Sequence, residues 1–183
     1  TIDAKVGNIL RAIVESGAHA TPQPGKDALY ANVTSAEHAA LARRVAAASA
    51  VLLKNERHAL PIPAAHQVVV VGDRAHARPL AVGQGSGHVQ ASHVVTVLEG
   101  LRSAGAFREP IAYVPSTSRL SASAKQALEK ADTVVVVVGA GSSEGFDRAT
   151  LAVDAADDKL IRAVAAVARN VVVWVCAPGA VIM

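Results

Sequence analysis

Two uninterrupted β-branched runs constrain this chain more than anything else in it: Val68–Val71 and Thr133–Val138. A strand with one wet face alternates apolar and polar residues. These runs do not alternate, so both of their faces must be buried. Strands covered on both sides belong to sheets with helices on each face, and such sheets are mostly parallel. A third run, Val171–Val175, repeats the pattern, and Ile111-Ala112-Tyr113-Val114 reads as a shorter strand. Helical periodicity fills the intervals. Thr96–Ala104 ends at Gly105, Ser121–Lys130 opens on Ser121 or Ser123 as its cap, and Ala155–Ala168 stops at Asn170. Strand, helix, strand, helix, strand is the order that right-handed crossovers between parallel strands produce. The expected class is therefore α/β: an open, mostly parallel sheet with helices on both faces.

Composition bounds the function classes. Apolar residues make up 51% of the 183 positions and aromatics only 3%, so Ala, Val, Leu and Ile fill the interior. The excess of 18 Lys+Arg over 15 Asp+Glu is spread along the chain, with no basic block and no basic–aromatic interleaving. That pattern disfavours nucleic acid as a partner. No segment approaches the ~20 consecutive apolar residues of a membrane-spanning helix, so no membrane partner is expected. Cys176 is the single cysteine, which excludes an intrachain disulfide and a multi-cysteine zinc site; within Val171–Ala177 it reads as a small core thiol. The seven histidines show no ligand spacing, and neither a metal nor an organic cofactor is expected. His88 and His93 are the two that flank a glycine loop.

Two helices precede the sheet. Ile2, Val6, Ile9, Leu10, Ile13 and Val14 recur at helical spacing, which predicts an amphipathic helix over Ile2–Glu15 ended by Ser16-Gly17. Ala18–Asn32 carries Pro22, Pro24 and Gly25 and reads as an irregular connector. The next helix begins at Thr34 or Ser35, with Leu41 and Val45 on its apolar stripe. The first helix stands outside the strand–helix alternation and is expected to pack on another domain. With Thr1 at one end and Val181-Ile182-Met183 at the other, the chain reads as a piece of a longer one.

Chemistry concentrates after the second long run, where Gly139-Ala140-Gly141-Ser142-Ser143-Glu144-Gly145-Phe146-Asp147-Arg148 leaves a strand end. Loops at the ends of parallel strands are where α/β proteins carry their functional groups. A glutamate in a polar loop is most often merely solvated. Here small residues surround Glu144, and Asp147-Arg148 is expected to form a bidentate ion pair that pins the loop. A carboxyl held over a cleft can have its pKa raised by burial and serve as a general acid. No second carboxylate completes an acid–nucleophile pair, because Asp157 and Asp158 read as ordinary first-turn acids favoured by the helix dipole. A dinucleotide-binding reading of Val68–Val71 fails on spacing: Gly83-Gln84-Gly85-Ser86-Gly87 comes far too late to open a helix directly after the strand.

Four stretches together resemble the second domain of family 3 glycoside hydrolases, the β-glucosidases, β-xylosidases and their relatives. They are Ala48–Asn55 with Leu60-Pro61-Ile62 and Val68–Gly72; Gly83–Gly87 with Val89; Ser143-Glu144-Gly145-Phe146-Asp147-Arg148; and Ala177–Met183. Ile2-Asp3 and Ile9-Leu10 resemble the closing helix of that family's first domain, a (β/α)8-type barrel. The resemblance implies residues 1–17 as the last helix of an absent barrel, 18–33 as a linker and 34–183 as a C-terminally truncated α/β sandwich. It implies a fragment of a retaining, exo-acting β-glycosidase of β-glucosidase type, inactive alone. Its partners would be a β-linked glucoside or oligosaccharide and the missing barrel, which would bring an aspartate nucleophile. Glu144 matches the family's acid/base glutamate, whose pKa a neighbouring carboxylate and a partly dry cleft would raise. Ser86 matches a sugar-contacting position, while Asp147, Arg148, Gly85 and Gly87 match loop-shaping ones. Asp154 and Asp157 stand where the family often has Pro and Gln, and Ser143 replaces a glycine. The reading from another class is a non-catalytic α/β carbohydrate-binding or scaffold module.

Overall fold

A computed structural model of the chain describes residues 1–22, 24–81, 83, 85–116 and 120–182. Gln23 of the connector, Gln84 of the first glycine loop and Met183 lie outside the described residues. The chain divides into two compact units, Thr1–Leu52 and Leu53–Met183.

The first unit holds α1 (Ile2–Glu15) and α2 (Ala36–Ala48). Thr1 caps α1, its hydroxyl accepting the Ala4 N–H, and Ser35 caps α2 by accepting the His38 N–H at 3.1 Å. Gly17, with φ of 74°, lets the chain leave α1 through the left-handed region. A short 3₁₀ turn, Lys26–Tyr30, interrupts the connector. The predicted apolar stripe of α1 is there and uncovered: Ile2 is 79% exposed and Ile9 62%.

The second unit is the sheet. Its strands are β1 (Gln67–Val71), β2 (Arg108–Val114), β3 (Thr133–Gly139) and β4 (Val171–Cys176), all parallel, in the order β2-β1-β3-β4. Between them run α3 (Val97–Ser103), α4 (Ala122–Lys130) and α5 (Ala155–Ala165). Both long valine runs are fully covered: every residue of β3 is buried, as are Val68–Val71. On one face Val68, Val70, Val135 and Val137 pack with Leu98 of α3 and Ile111. On the other, Val69, Val71, Val134, Val136 and Val138 pack with Leu128 of α4 and with Leu160 and Val164 of α5. Residues two apart share a face of a strand, so each run feeds both cores at once.

The helices begin where serine and threonine place them. Thr96 and Glu99 form a reciprocal capping box at α3, and Ser121 caps α4. β2 starts earlier than its apolar run, at Arg108, and its register against β1 slips between Gln67 and Val69. α5 ends at Ala165, short of the expected Ala168. Both edge strands are less covered than the central pair: β2 exposes four of its seven residues, and β4 leaves Val173 and Trp174 half exposed.

Candidate active site

Strand order decides where two distant loops meet. β1 and β3 lie side by side, yet the chain leaves β1 toward α3 on one face and leaves β3 toward α5 on the other. Their C-terminal ends therefore open a crevice at a topological switch point, the place where open α/β sheets bind ligands. The loop after β1 carries Gly85 and Ser86; the loop after β3 carries Glu144.

Glycines bring the two strand ends close. Gly72 has φ of 112°, and a side chain there would run into the Val137 carbonyl of β3. A Cβ on Gly139 would collide with the Cys176 carbonyl of β4 and come 2.7 Å from Leu80. Charged groups then brace the loop bases. Asp73 Oδ1 accepts the Ser116 N–H at 2.8 Å while its Oδ2 pairs with Arg78 at 2.9 Å, and Arg74 reaches Asp154 at 3.5 Å.

Asp157 corrects its own expectation. It is no plain first-turn acid: its Oδ2 accepts the Gly139 N–H at 3.0 Å, tying the end of β3 to the first turn of α5. β1 has already ended, so this amide has no strand partner on that side. Burial pushes the Asp157 carboxyl above its usual range, against the opposing pull of the Gly139 N–H. Asp158 behaves as expected, pairing with Arg162 along the helix at 2.9 Å.

Glu144 and Ser86, 58 residues apart in sequence, touch. Glu144 Oε2 accepts both the Ser86 N–H at 2.7 Å and the Ser86 hydroxyl at 2.5 Å. Gly85 makes the approach possible. With φ of 85° it occupies the left-handed region, and a Cβ on it would strike the Glu144 Cβ and lie 2.8 Å from Oε2. Gly87 has open space around it. The exposed Glu144 carboxyl sits below its usual range, because the Ser86 hydroxyl and then the Ser86 N–H stabilise the anion. The raised pKa expected from burial is not found in this chain: Glu144 is exposed, and two donors outweigh the small desolvation.

The ion pair expected between Asp147 and Arg148 does not form. Arg148 instead donates through Nη2 to the Ala180 carbonyl at 2.8 Å, and its buried Nη1 has no partner among the described residues. The loop is thus anchored to the segment after β4 rather than to its own aspartate. Tight turning of the loop comes from Ser143 and Phe146, whose backbones bridge across Glu144-Gly145, with Gly145 at φ of 78°. Phe146 stands 77% exposed beside a shallow depression lined by Gly141, Ser142, Ser143, Asp147 and Arg148. His88 Nδ1 lies 3.2 Å from the Gly83 carbonyl, inside its own loop, and takes no part in Glu144's hydrogen bonds. No cluster of three metal-ligating side chains occurs among the described residues.

Fold and crevice together define an open, all-parallel α/β domain that presents a carboxylate at its switch point. Residues 50–183 match the model of the glycosyl hydrolase family 3 C-terminal domain, and the chain belongs to that family. It is 33% identical over 147 residues to thermostable beta-glucosidase B of Acetivibrio thermocellus, covering 74% of this chain and 19% of that protein. Probable beta-glucosidase L of Neosartorya fischeri is 31% identical over 177 residues, 84% of this chain and 24% of that protein. An exo-alpha-(1->6)-L-arabinopyranosidase of Bifidobacterium breve is 32% identical, over 79% of this chain and 21% of that protein. Among solved structures, the GH3 beta-glucosidase of Bifidobacterium adolescentis superposes with a TM-score of 0.66 at 32% identity, covering 79% of this chain and 22% of that one. The beta-glucosidase of Listeria innocua in complex with glucose superposes with a TM-score of 0.67 at 26% identity, over 79% and 21%. The chain thus spans about a fifth to a quarter of the length of the relatives it matches.

Proposed function

We propose that this chain is the acid/base-bearing part of a retaining, exo-acting β-glycosidase of β-glucosidase type, with Glu144 as its proton donor and acceptor. The observation that carries the reading is the meeting of Glu144 with Ser86 at the switch-point crevice. Two loops from adjacent strand ends converge on one carboxylate, and that carboxylate stands exposed, ready to meet a surface supplied from outside the sheet unit. Names of the relatives support a glycoside as substrate. By the resemblance, an aspartate on a barrel domain faces Glu144, α1 closes that barrel, and residues 18–33 link it to the sandwich.

In the first step the barrel aspartate attacks the anomeric carbon as the bond to the leaving oxygen breaks, and Glu144 gives its proton to that oxygen. In the second, Glu144, now a carboxylate, takes a proton from water; the water's oxygen bonds to the anomeric carbon and the aspartate is released. A retaining pair works with its carboxyls ~5–5.5 Å apart. Such a neighbour, in a cleft from which water is excluded, raises the proton affinity of Glu144 from the low value it has when exposed.

The test is Glu144→Gln in the intact glycosidase. Cleavage of substrates with poor leaving groups should slow by about 10²–10⁴-fold, the usual contribution of a positioned acid/base. Activated aryl glycosides, whose departure needs little protonation, should lose much less in the glycosylation step. Unchanged rates for both would remove Glu144 from the chemistry and leave a non-catalytic module.

A further inference from the structure

Nothing in general acid/base chemistry requires a glutamate to be gripped by its neighbours, yet this one is held by a seat made from another loop. Both donors of Ser86 converge on the same oxygen, Oε2. Gly85 supplies the floor of the seat: any side chain there would occupy the volume of the Glu144 side chain. The floor and both grips come from consecutive residues of the loop after β1, while the carboxylate comes from the loop after β3.

Resting on the proposed acid/base role, we infer that Ser86 is a positioning residue for Glu144: it holds Oε2 and leaves Oε1 as the oxygen that exchanges a proton with the sugar. Oε2 already receives two donated hydrogens, so a proton added to it would displace at least one of them. Oε1 takes no hydrogen bond from the described residues and is free to carry the proton. Two donors on a carboxylate favour its ionised form. The seated side chain is thus arranged for the second half of the reaction, in which Glu144 removes a proton from water. The seat opposes the first half, in which Glu144 must arrive protonated on Oε1, and the neighbouring carboxylate of the proposed cleft must offset that bias. Ser86 therefore sets the balance between the two roles of one side chain.

The full 183-residue chain, fused to a small soluble domain, allows a direct test without sugar or turnover. The Glu144 carboxyl carbon is followed by ¹³C NMR through a pH titration in wild type, Ser86→Ala and Ser86→Thr, with dispersed amide signals of β1 and β3 confirming the fold. Wild type should titrate below the ordinary range of a solvent-exposed glutamate. Ser86→Ala keeps the backbone N–H but loses the hydroxyl, so its midpoint should rise part of the way toward that range. Ser86→Thr keeps both donors and should stay near wild type. Identical midpoints in wild type and Ser86→Ala, or a rise in Ser86→Thr as large as in Ser86→Ala, would overturn the inference. The outcome is separable from that of Glu144→Gln hydrolysis: a failed titration leaves the glycosidase reading standing, and a failed hydrolysis test leaves the seat.

Discussion

At the scale of single residues, the site is built from a few side chains whose neighbours fix what they can do. Arg148 shows the point. Its charge looked made for Asp147 next to it, but a guanidinium in a half-buried turn found a backbone carbonyl, Ala180, across the sheet edge. Truncating it should free the loop more than it harms the fold. In Arg148→Ala, amide hydrogen exchange across residues 141–150 should accelerate while β3 stays protected, and Arg148→Lys, which can still donate one hydrogen bond to the Ala180 carbonyl, should restore part of the slow exchange. Unaltered exchange in the loop would show that Arg148 does not anchor it. The Glu144–Ser86 contact was outside the reach of residue-level reading. Each loop was recognisable alone, but their meeting depends on β1 and β3 being neighbours, which the order of strands in sequence does not state.

At the scale of elements, the valine runs made the sheet legible because continuous β-branched sequence has few other uses than a doubly covered strand. Caps were legible in part: Ser35 and Ser121, each one of two candidates, accept the His38 and Ala124 N–H, whereas Thr96, read as the first residue of its helix, turns out to cap it. What escaped was the polar stitching between elements. Asp157 sits in a helix first turn, where an acid is unremarkable, and only the early end of β1 gives it the Gly139 amide. Gly72→Ala adds a side chain where φ is 112° and where the β3 backbone blocks it, so chemical denaturation should report a loss of about 2–4 kcal/mol. A loss within experimental error would mean that the β1–β3 ends are not closely apposed. Asp157 carries a pH signature. Its folded pKa lies above its unfolded value, so the folded chain holds the proton more tightly and gains stability as pH falls through the carboxylate range. Urea melts from neutral pH downward should show wild type gaining on Asp157→Asn until the pH passes below the unfolded value; the opposite trend would refute the burial argument.

At the scale of the whole molecule, the two compact units differ in how well they cover themselves. The sheet unit buries its core on both faces, whereas no residue of α1 or α2 is buried. Contiguous apolar surface of this kind drives association. Light scattering of the isolated chain should show concentration-dependent self-association, and Ile9→Glu with Ile13→Lys should reduce it; a monomer at all concentrations would contradict the exposure of the α1 stripe. The chain spans about a fifth to a quarter of the length of the relatives it matches, and in the proposed reaction it holds one side. What Glu144 contributes is therefore to be read with the other side present. The most direct measurement is product analysis of Glu144→Ala in the intact glycosidase with added azide. Removing the base should stall the second step, and azide, which needs no deprotonation, should restore turnover and yield the β-glycosyl azide. No rescue, or an α-configured product, would contradict Glu144 as the acid/base of a retaining enzyme.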